Sequence, residues 1–408
     1  MDLQQSSHSP LKWAVVAFSF MALSLAFSAR ATLGLVMPIW SQDLGWSRSL
    51  VSGAAATALL VMAAVAPFAG RLVDRHGVRS TLTAGLALVG TGCVIVSATS
   101  NAAIFVLAFS GLAAFGFGIV ATHVVSTAIA RCFNAGRGLA TGIATSGSTG
   151  GQFLIVPLIA AVLTTFSWRW CFLAIGLACL ALIPLLWRAL ARVDGPKAEV
   201  SLVVPAASFE ADLSVILRKP AFHVLFWSFL LCGYTTAGVI ETHFLPYASF
   251  CGFGSFPSAA AYGLLSAINL IGMIVAGWLT DRINRVVLLG SIYLLRGLTF
   301  LILINVGTSY DMLVVFAVLF GAVDYATVPV TASLVASHIG LRIMGLAMGL
   351  ISAGHSLGAA AGAYSGGYIF DLTMRYEWVW LISVALSVGA GLMVFILRDA
   401  PRSVSATA

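Results

Sequence analysis

Charged residues are scarce in this chain. Only 9% of the 408 residues are Asp, Glu, Lys or Arg, whereas 60% are hydrophobic. Water-soluble domains carry about 25% charged residues, and a water-soluble fold cannot bury so much apolar surface. The composition therefore excludes a soluble globular protein and predicts a chain that is solvated by lipid.

Sequence motifs of soluble catalysts are also lacking. The chain contains neither the G-x-x-x-x-G-K-[ST] nucleotide loop nor the H-E-x-x-H zinc motif. Its six cysteines are scattered without a C-x-x-C pair, as is typical of small buried hydrophobic side chains. We therefore expect no enzyme activity, no cofactor and no metal. The net charge of +7 comes from basic residues between apolar runs, so no nucleic-acid partner is expected.

Long apolar runs are abundant, and twelve of them reach the length of about 20 helical residues that a bilayer requires. They span residues 13–38, 50–70, 80–99, 102–130, 139–165, 169–188, 221–248, 258–280, 286–306, 311–337, 342–369 and 378–397. The pattern predicts an all-α membrane protein with twelve transmembrane helices in two six-helix bundles. These bundles would occupy residues 1–190 and 220–408, joined by a polar linker at 191–219.

Basic residues are distributed unequally between the two sides of the predicted membrane. Most of the 21 Lys and Arg residues fall on the side that holds both termini, whereas Arg48, Arg169 and Arg375 fall on the other. Because basic loops stay in the cytoplasm, both termini are predicted to be cytoplasmic, in an inner or plasma membrane. The first run is too long for the core of a cleavable signal peptide, so it is predicted to be helix 1.

A short string recurs at about half the chain length. The first copy begins Gly70-Arg71-Leu72-Val73-Asp74-Arg75-His76-Gly77, and the second begins Gly277-Trp278-Leu279-Thr280-Asp281-Arg282-Ile283-Asn284. Each copy lies between two apolar runs, which indicates two homologous bundles in one polypeptide. The shared pattern G-x-L-x-D-R-x-[GN] resembles the loop signature between helices 2–3 and 8–9 of the major facilitator superfamily.

The resemblance implies that this loop controls the conformational change of a transporter. Its glycine, Gly70 or Gly277, would let two helices approach closely. The acidic and basic residues would cap helix ends and pair across a moving interface, and they are Asp74, Arg75, Asp281 and Arg282.

Other strings resemble the monocarboxylate and oxalate/formate transporter branch. They are Gly45-Trp46-Ser47-Arg48 before helix 2, Arg137-Gly138-Leu139-Ala140-Thr141-Gly142-Ile143-Ala144 at the start of helix 5, and Trp168-Arg169 at the start of helix 6. That branch commonly places a substrate-binding arginine in helix 8, where this chain has Asn269-Leu270-Ile271-Gly272-Met273. The carboxylate would then have to bind Arg30 or Arg296. The glycine–proline signature that drug/proton antiporters carry in helix 5 is absent.

Ionisable residues within the apolar runs are functional candidates, because a charge at the centre of a membrane helix costs at least about 2.5 kcal/mol. Arg30 in helix 1 and the pair Glu241 and His243 in helix 7 occupy equivalent places in the two halves. One interpretation is an anion site in which Arg30 binds a carboxylate and Glu241 or His243 carries a coupled proton. The alternative is an Arg30–Glu241 gate that only closes the outer mouth.

Further polar residues lie in helices 4, 8, 9, 10 and 11. Arg296 and Asp324 would form a buried pair that ties helix 9 to helix 10, or else Arg296 reaches the cavity and Asp324 titrates with the substrate. His355 and His123 are interpreted either as packed neutral imidazoles or as ligands of substrate or proton. The uncharged candidates for substrate binding are Asn269 and Tyr325. Predicted bends fall at Pro38, Pro157, Pro246 and Pro329.

Together these features predict a monomeric secondary transporter that works by alternating access. Its predicted substrate is a small organic anion, such as a monocarboxylate, taken up with a proton, because cationic groups outnumber titratable acids among the candidates. The alternative is a transporter of a larger, mostly neutral compound such as a vitamin or drug, bound by stacking on aromatic side chains. In both cases the partners are a small molecule and the lipid bilayer.

Overall fold

The computed structural model describes residues 10–133, 135–191 and 208–399. Within these ranges all regular structure is helical, without β-strands. Residues 192–207 of the predicted linker lie outside the described residues, and so does the C-terminal Arg402.

The first half of the chain holds eight α-helices and a π-helix. They are α1 (Pro10–Asp43), α2 (Arg48–Ala98), α3 (Ala102–Val106), the first π-helix (Leu107–Ala113), α4 (Ala114–Ile119), α5 (Thr122–Cys132), α6 (Arg137–Thr145), α7 (Gly147–Val162) and α8 (Trp168–Ala191). A short helix, α9 (Phe209–Leu217), follows the linker residues.

The second half has a similar series. It comprises α10 (Pro220–Gly233), the second π-helix (Tyr234–Ile240), α11 (Glu241–Phe250), α12 (Ser255–Thr280), α13 (Arg285–Ile304), α14 (Tyr310–Val323), α15 (Thr327–His338), α16 (Met344–Thr373) and α17 (Glu377–Val394).

Eleven helical stretches in the described ranges are long and apolar enough to cross a membrane. One of them, Leu50–Ala98, has 49 residues and extends about 70 Å, more than twice the thickness of the hydrocarbon core. Gly77 interrupts this stretch with a φ of 80°, a left-handed conformation that favours glycine, so it makes two crossings. The prediction of an all-α fold with twelve transmembrane helices is therefore confirmed.

Contacts divide the chain into two compact units. The first comprises Met1–Ala135, Ile143–Leu213 and Arg342–Gly349, and the second comprises Gly136–Gly142, Ser214–Leu341 and Leu350–Ala408. Each unit thus contains one half of the sequence together with a short segment from the other half. The two exchanged segments include the starts of α16 and α6.

Close helix packing and aromatic clusters form the core of each unit. In the first unit, the glycines Gly147 and Gly151 bring α7 against the backbone of Phe20 and Ser24 in α1. Small residues let membrane helices approach closely in this way. Close approach is important in a bilayer because dispersion contacts and hydrogen bonds, and not the hydrophobic effect, hold membrane helices together. Ser24 Oγ also donates a hydrogen bond of 2.9 Å to the Gly147 carbonyl.

In the second unit, aromatic side chains fill the space between α11, α13, α14 and α17. Phe244 stacks on Phe316 with ring centroids 5.8 Å apart, and Phe300 stacks on Trp380 at 6.2 Å. Stacked and edge-on aromatic pairs of this kind are more favourable than their buried area alone implies. This core holds α13 against α14 and therefore positions the polar residues that these helices carry.

The fourth crossing of each half is broken at a corresponding place. The break in the first unit lies at Val120 and Ala121, between α4 and α5, and the break in the second lies at residues 324–326, between α14 and α15. Irregular backbone at membrane depth is tolerated where protein surrounds it or where it borders a water-filled cavity, and broken helices often form the binding sites of transporters. The search for a functional site therefore begins at these breaks.

Candidate functional site

Pro329 explains why the helix breaks in the second unit. A proline has no N–H to donate to the carbonyl four residues earlier, and its ring collides with that carbonyl. For Pro329 this position is Tyr325, and α14 ends at Val323 while α15 begins at Thr327. The last carbonyls of α14 consequently need hydrogen-bond donors from elsewhere.

Arg296 supplies these donors from α13. Its Nη2 donates to the Val323 carbonyl over 2.7 Å and also to the Asp324 carbonyl, and its Nη1 donates to Cys232 Sγ over 2.9 Å. A cation at a helix C-terminus is favoured by the helix dipole as well as by these hydrogen bonds. The Arg296 side chain is completely buried, so it acts here as the cap of a broken helix.

Asn269 joins the other groups at the break. Its Nδ2 donates to Asp324 Oδ2 over 3.0 Å, and its Oδ1 accepts the Tyr325 N–H over 3.1 Å. The predicted contact between Arg296 and Asp324 therefore runs to the main-chain carbonyl of Asp324, while the carboxylate binds Asn269. Among the described residues, Asp324 Oδ1 has no hydrogen-bond partner although it is buried.

Glu241 is linked to the break through a tyrosine. The Tyr325 hydroxyl donates to Glu241 Oε1 over 2.7 Å. Glu241 begins α11 directly after the second π-helix, and its side chain is exposed. Short π-helical segments are frequent at functional sites, so this exposed carboxylate directly after one is a candidate functional group.

His355 completes the group from α16. Its Nε2 lies 3.5 Å from Thr236 Oγ1 in the second π-helix, and its ring lies 4.9 Å from Phe229 and 6.4 Å from Tyr325. The helices come this close because α10 presents Gly233, where a side chain would collide with the His355 backbone.

Six of the predicted site residues thus come together in the second unit. They are Asn269, Glu241, Arg296, Asp324, Tyr325 and His355. Sequence reasoning missed Cys232 and Thr236, which lie in the same group. A cysteine and a threonine inside an apolar run are common packing residues, so nothing in the sequence pattern distinguishes these two.

His243 lies elsewhere, although it is only two residues from Glu241. Its Nε2 donates to the Ala363 carbonyl over 3.0 Å, and its ring packs where Gly366 has no side chain. Residues two apart in a helix point in nearly opposite directions, so Glu241 and His243 cannot face the same group.

The predicted substrate-binding residues of the first unit are Arg30 and His123. The Arg30 guanidinium lies over the Phe27 ring, 4.9 Å from its centroid. His123 begins the first turn of α5 just after the break at Ala121, and its side chain is buried.

The repeated loop makes an equivalent contact in each unit. In the first unit, Asp74 accepts the N–H groups of Gly345 (3.0 Å) and Leu346 (2.8 Å) at the start of α16, and it forms an ion pair with Arg131. The backbone of Gly345 approaches Gly70 so closely that a side chain at Gly70 would collide with it.

In the second unit, Asp281 accepts the N–H groups of Gly138 and Leu139 at the start of α6, both over 2.9 Å. Gly277 packs against the backbone of Gly138. A carboxylate at a helix N-terminus satisfies unpaired N–H groups and opposes the helix dipole, so both aspartates are N-terminal caps. The two arginines of the motif are Arg282, which stacks on Trp278 at 4.0 Å, and Arg75, which is exposed.

Comparison with known proteins identifies the family. The family model of the Major Facilitator Superfamily matches residues 19–304 and 270–408. The chain belongs to the major facilitator superfamily. Proteins of this family are transporters and not enzymes, so the chain is a multi-pass membrane transporter of a small molecule.

Similar curated proteins include several named for monocarboxylates. The chain is 25% identical to the MFS-type transporter YcxA of Bacillus subtilis over 90% of both chains. It is 29% identical to monocarboxylate transporter 11 of Homo sapiens, over 66% of this chain and 56% of that protein. It is 25% identical to monocarboxylate transporter 13 of Rattus norvegicus, over 94% of this chain and 88% of that protein.

Solved structures of the superfamily share the fold. The proton:xylose symporter XylE superposes with a TM-score of 0.76 at 13% identity, over 95% of this chain and 96% of that one. The human organic anion transporter MFSD10 superposes with a TM-score of 0.74 at 18% identity, over 95% of this chain and all of that one.

We expect Asp74→Asn to lower the maximal transport rate about tenfold without changing KM, since the amide has one acceptor oxygen in place of two and no charge, a loss of roughly 1–2 kcal/mol. The variant weakens the cap of α16 and removes the ion pair with Arg131 but leaves the polar group at the α14–α15 break intact. Initial uptake rates in proteoliposomes across a substrate series measure both constants. Asp311→Asn, at an exposed carboxylate in the first turn of α14, is the control. A raised KM at a normal maximal rate would contradict this role.

Arg296 should determine the stability of the second unit. Arg296→Met leaves the buried carbonyls of Val323 and Asp324 without these donors, which costs roughly 1–3 kcal/mol for each carbonyl. Arg296→Lys keeps the charge but cannot reach both carbonyls and Cys232, so its stability should be intermediate. Thermal unfolding in detergent gives the order wild type, Lys, Met. Equal melting temperatures for Met and wild type would exclude the capping role.

Proposed function

We propose that this transporter moves a small organic anion, most simply a monocarboxylate, together with a proton by alternating access. The observation that most directly supports this proposal is the polar group at the break between α14 and α15. It places two carboxyl groups, Glu241 and Asp324, on either side of Tyr325 inside a membrane protein. Ionisable groups at membrane depth are expensive and are typical of ion and proton pathways.

The anion is supported by the names of relatives and by the basic residues of the chain. Several similar proteins are named monocarboxylate transporters, and one similar structure is named an organic anion transporter. We assign the substrate carboxylate to Arg30 in α1, whose guanidinium lies over the Phe27 ring, and Arg296 to the cap of α14. Arg30 would offer two parallel donors to the two carboxylate oxygens.

The coupled proton is assigned first to Glu241. Its carboxylate accepts a hydrogen bond from Tyr325 and is exposed, so protons can reach it. Protonation would remove its charge and weaken the bond to Tyr325, whose own N–H is held by Asn269 at the break. Protonation of Glu241 would in this way shift the backbone at Tyr325, next to Asp324. Asp324 is the second candidate for proton binding.

The conformational change is assigned to the two aspartate caps. The starts of α16 and α6 pack with the unit that contains the other half of the sequence, and Asp74 and Asp281 cap them. Transport would break one cap as access changes and re-form it on return. We further propose cytoplasmic termini, a monomeric protein and location in an inner or plasma membrane, following the basic loops.

Glu241→Gln should abolish accumulation driven by a pH gradient but preserve exchange of substrate across the membrane. The amide still accepts the hydrogen bond from Tyr325 but cannot bind and release a proton, and exchange needs no net proton movement. Proteoliposomes loaded with labelled lactate, assayed with and without a pH gradient, separate the two activities. Glu377→Gln, at an exposed carboxylate next to Arg375, is the matched control. Accumulation equal to wild type would remove Glu241 from coupling.

Arg30→Lys should weaken carboxylate binding about tenfold, since Lys keeps the charge but loses the forked pair of donors. Competition of unlabelled carboxylates, nucleobases and vitamins against uptake measures this affinity. Arg218→Lys, at an exposed site after α9, serves as the control. Normal affinity in Arg30→Lys, with stronger competition by neutral compounds than by carboxylates, would favour transport of a larger neutral molecule.

A further inference from the structure

We propose that an apolar groove on the first unit binds an acyl chain of an anionic phospholipid, with the headgroup at Arg188. The groove has a volume of about 400 Å³ and lies between α1, α7 and α8. This inference does not depend on which substrate the transporter carries.

Small residues create the groove. Gly150 in α7 and the pair Ala178 and Ala181 in α8 leave a gap, because none of them has a side chain beyond Cβ. The floor is the close contact of α7 with α1, where Ser24 Oγ is already bonded to the Gly147 carbonyl. An apolar cavity without available polar groups does not hold ordered water, so its natural occupant is apolar.

The groove opens on a surface that crosses the membrane. Its rim residues Met21, Leu154 and Leu185 are 46%, 61% and 52% exposed. They are contributed by three different helices of the unit, each part of a stretch long and apolar enough to cross a bilayer. Apolar side chains exposed at this depth face hydrocarbon, which makes an acyl chain the expected neighbour.

The position along the helices places one end of the groove in one leaflet. Met21 lies about 16 Å along α1 from its start at Pro10, and Leu185 lies about 9 Å from the end of α8 at Ala191, at 1.5 Å per residue. The chain crosses six times between the start of α1 and the end of α8, and an even number of crossings returns it to the same side, so α8 ends on the side where α1 begins. The end of the groove at Leu185 therefore lies in the leaflet on that side, within reach of its headgroups.

Arg188 extends the lining of the groove towards those headgroups. It follows Leu185 by three residues and Ala181 by seven, so it continues the same face of α8 by one turn. Its side chain is exposed, and long basic side chains at helix ends reach up to the interface. An exposed arginine next to an apolar groove favours a phosphate-bearing anionic lipid.

Native mass spectrometry of the purified full chain tests the proposal. The protein is equilibrated with phosphatidylglycerol or with phosphatidylcholine of identical acyl chains, and the retained lipid is counted. Wild type should retain phosphatidylglycerol in preference to phosphatidylcholine. Arg188→Gln should lower this preference about tenfold, since a charged hydrogen bond is lost.

Filling the groove tests the acyl-chain site. Ala181→Phe should reduce retention of both lipids. Ala174→Phe adds the same bulk on the same face of α8, seven residues earlier and outside the groove, and should retain lipid like wild type. Equal retention by Ala181→Phe and Ala174→Phe would overturn the site.

A second measurement uses the unaltered protein, so misfolding of a variant cannot obscure the result. Phosphatidylglycerol with a photoreactive group in its acyl chain should crosslink to peptides of α7 and α8 that line the groove. Labelling spread evenly over all crossings would overturn the proposal. Oleate that displaces the probe as well as phosphatidylglycerol does would also overturn it, and would assign the groove to a free fatty acid.

Discussion

The hydrogen-bonding demand of the backbone inside a membrane governs this structure. Carbonyls that a helix leaves unpaired cannot turn to water in the hydrocarbon region, so a broken helix requires donors from the protein. At the end of α14 the donors come from the buried Arg296, and the adjacent amide of Tyr325 is held by Asn269. The residues that make the break possible are therefore the same residues that concentrate polar groups there.

The same demand explains the two loop motifs. The first N–H groups of α16 and α6 have no partners within their own helices, and an aspartate from the repeated string accepts two of them in each case. A cap of this kind is strong enough to hold a helix start in place and weak enough to be broken by a modest change in energy. Both properties suit an element that must change partners during a transport cycle.

The sequence predicts the crossings well because length and hydropathy determine them directly. Gly77, which divides the 49-residue stretch into two crossings, lies inside the motif that the repeat had already identified. The break after Val323 could also be anticipated in part, since Pro329 marks a bend. Which groups would satisfy the break was not predictable, because the contacts of Arg296 depend on how α10, α13 and α14 pack. For the same reason Cys232 and Thr236 were missed, and the carboxylate of Asp324 proved to bind Asn269.

The segments exchanged between the halves have a consequence for biosynthesis. A membrane protein is made from its N-terminus, and its early helices begin to assemble before the later ones exist. Residues 342–349, which complete the first unit, are synthesised only after the ten crossings that precede them. Until then Asp74 has no helix start to cap. The first unit therefore stays incomplete for most of the time that the ribosome needs to synthesise the chain.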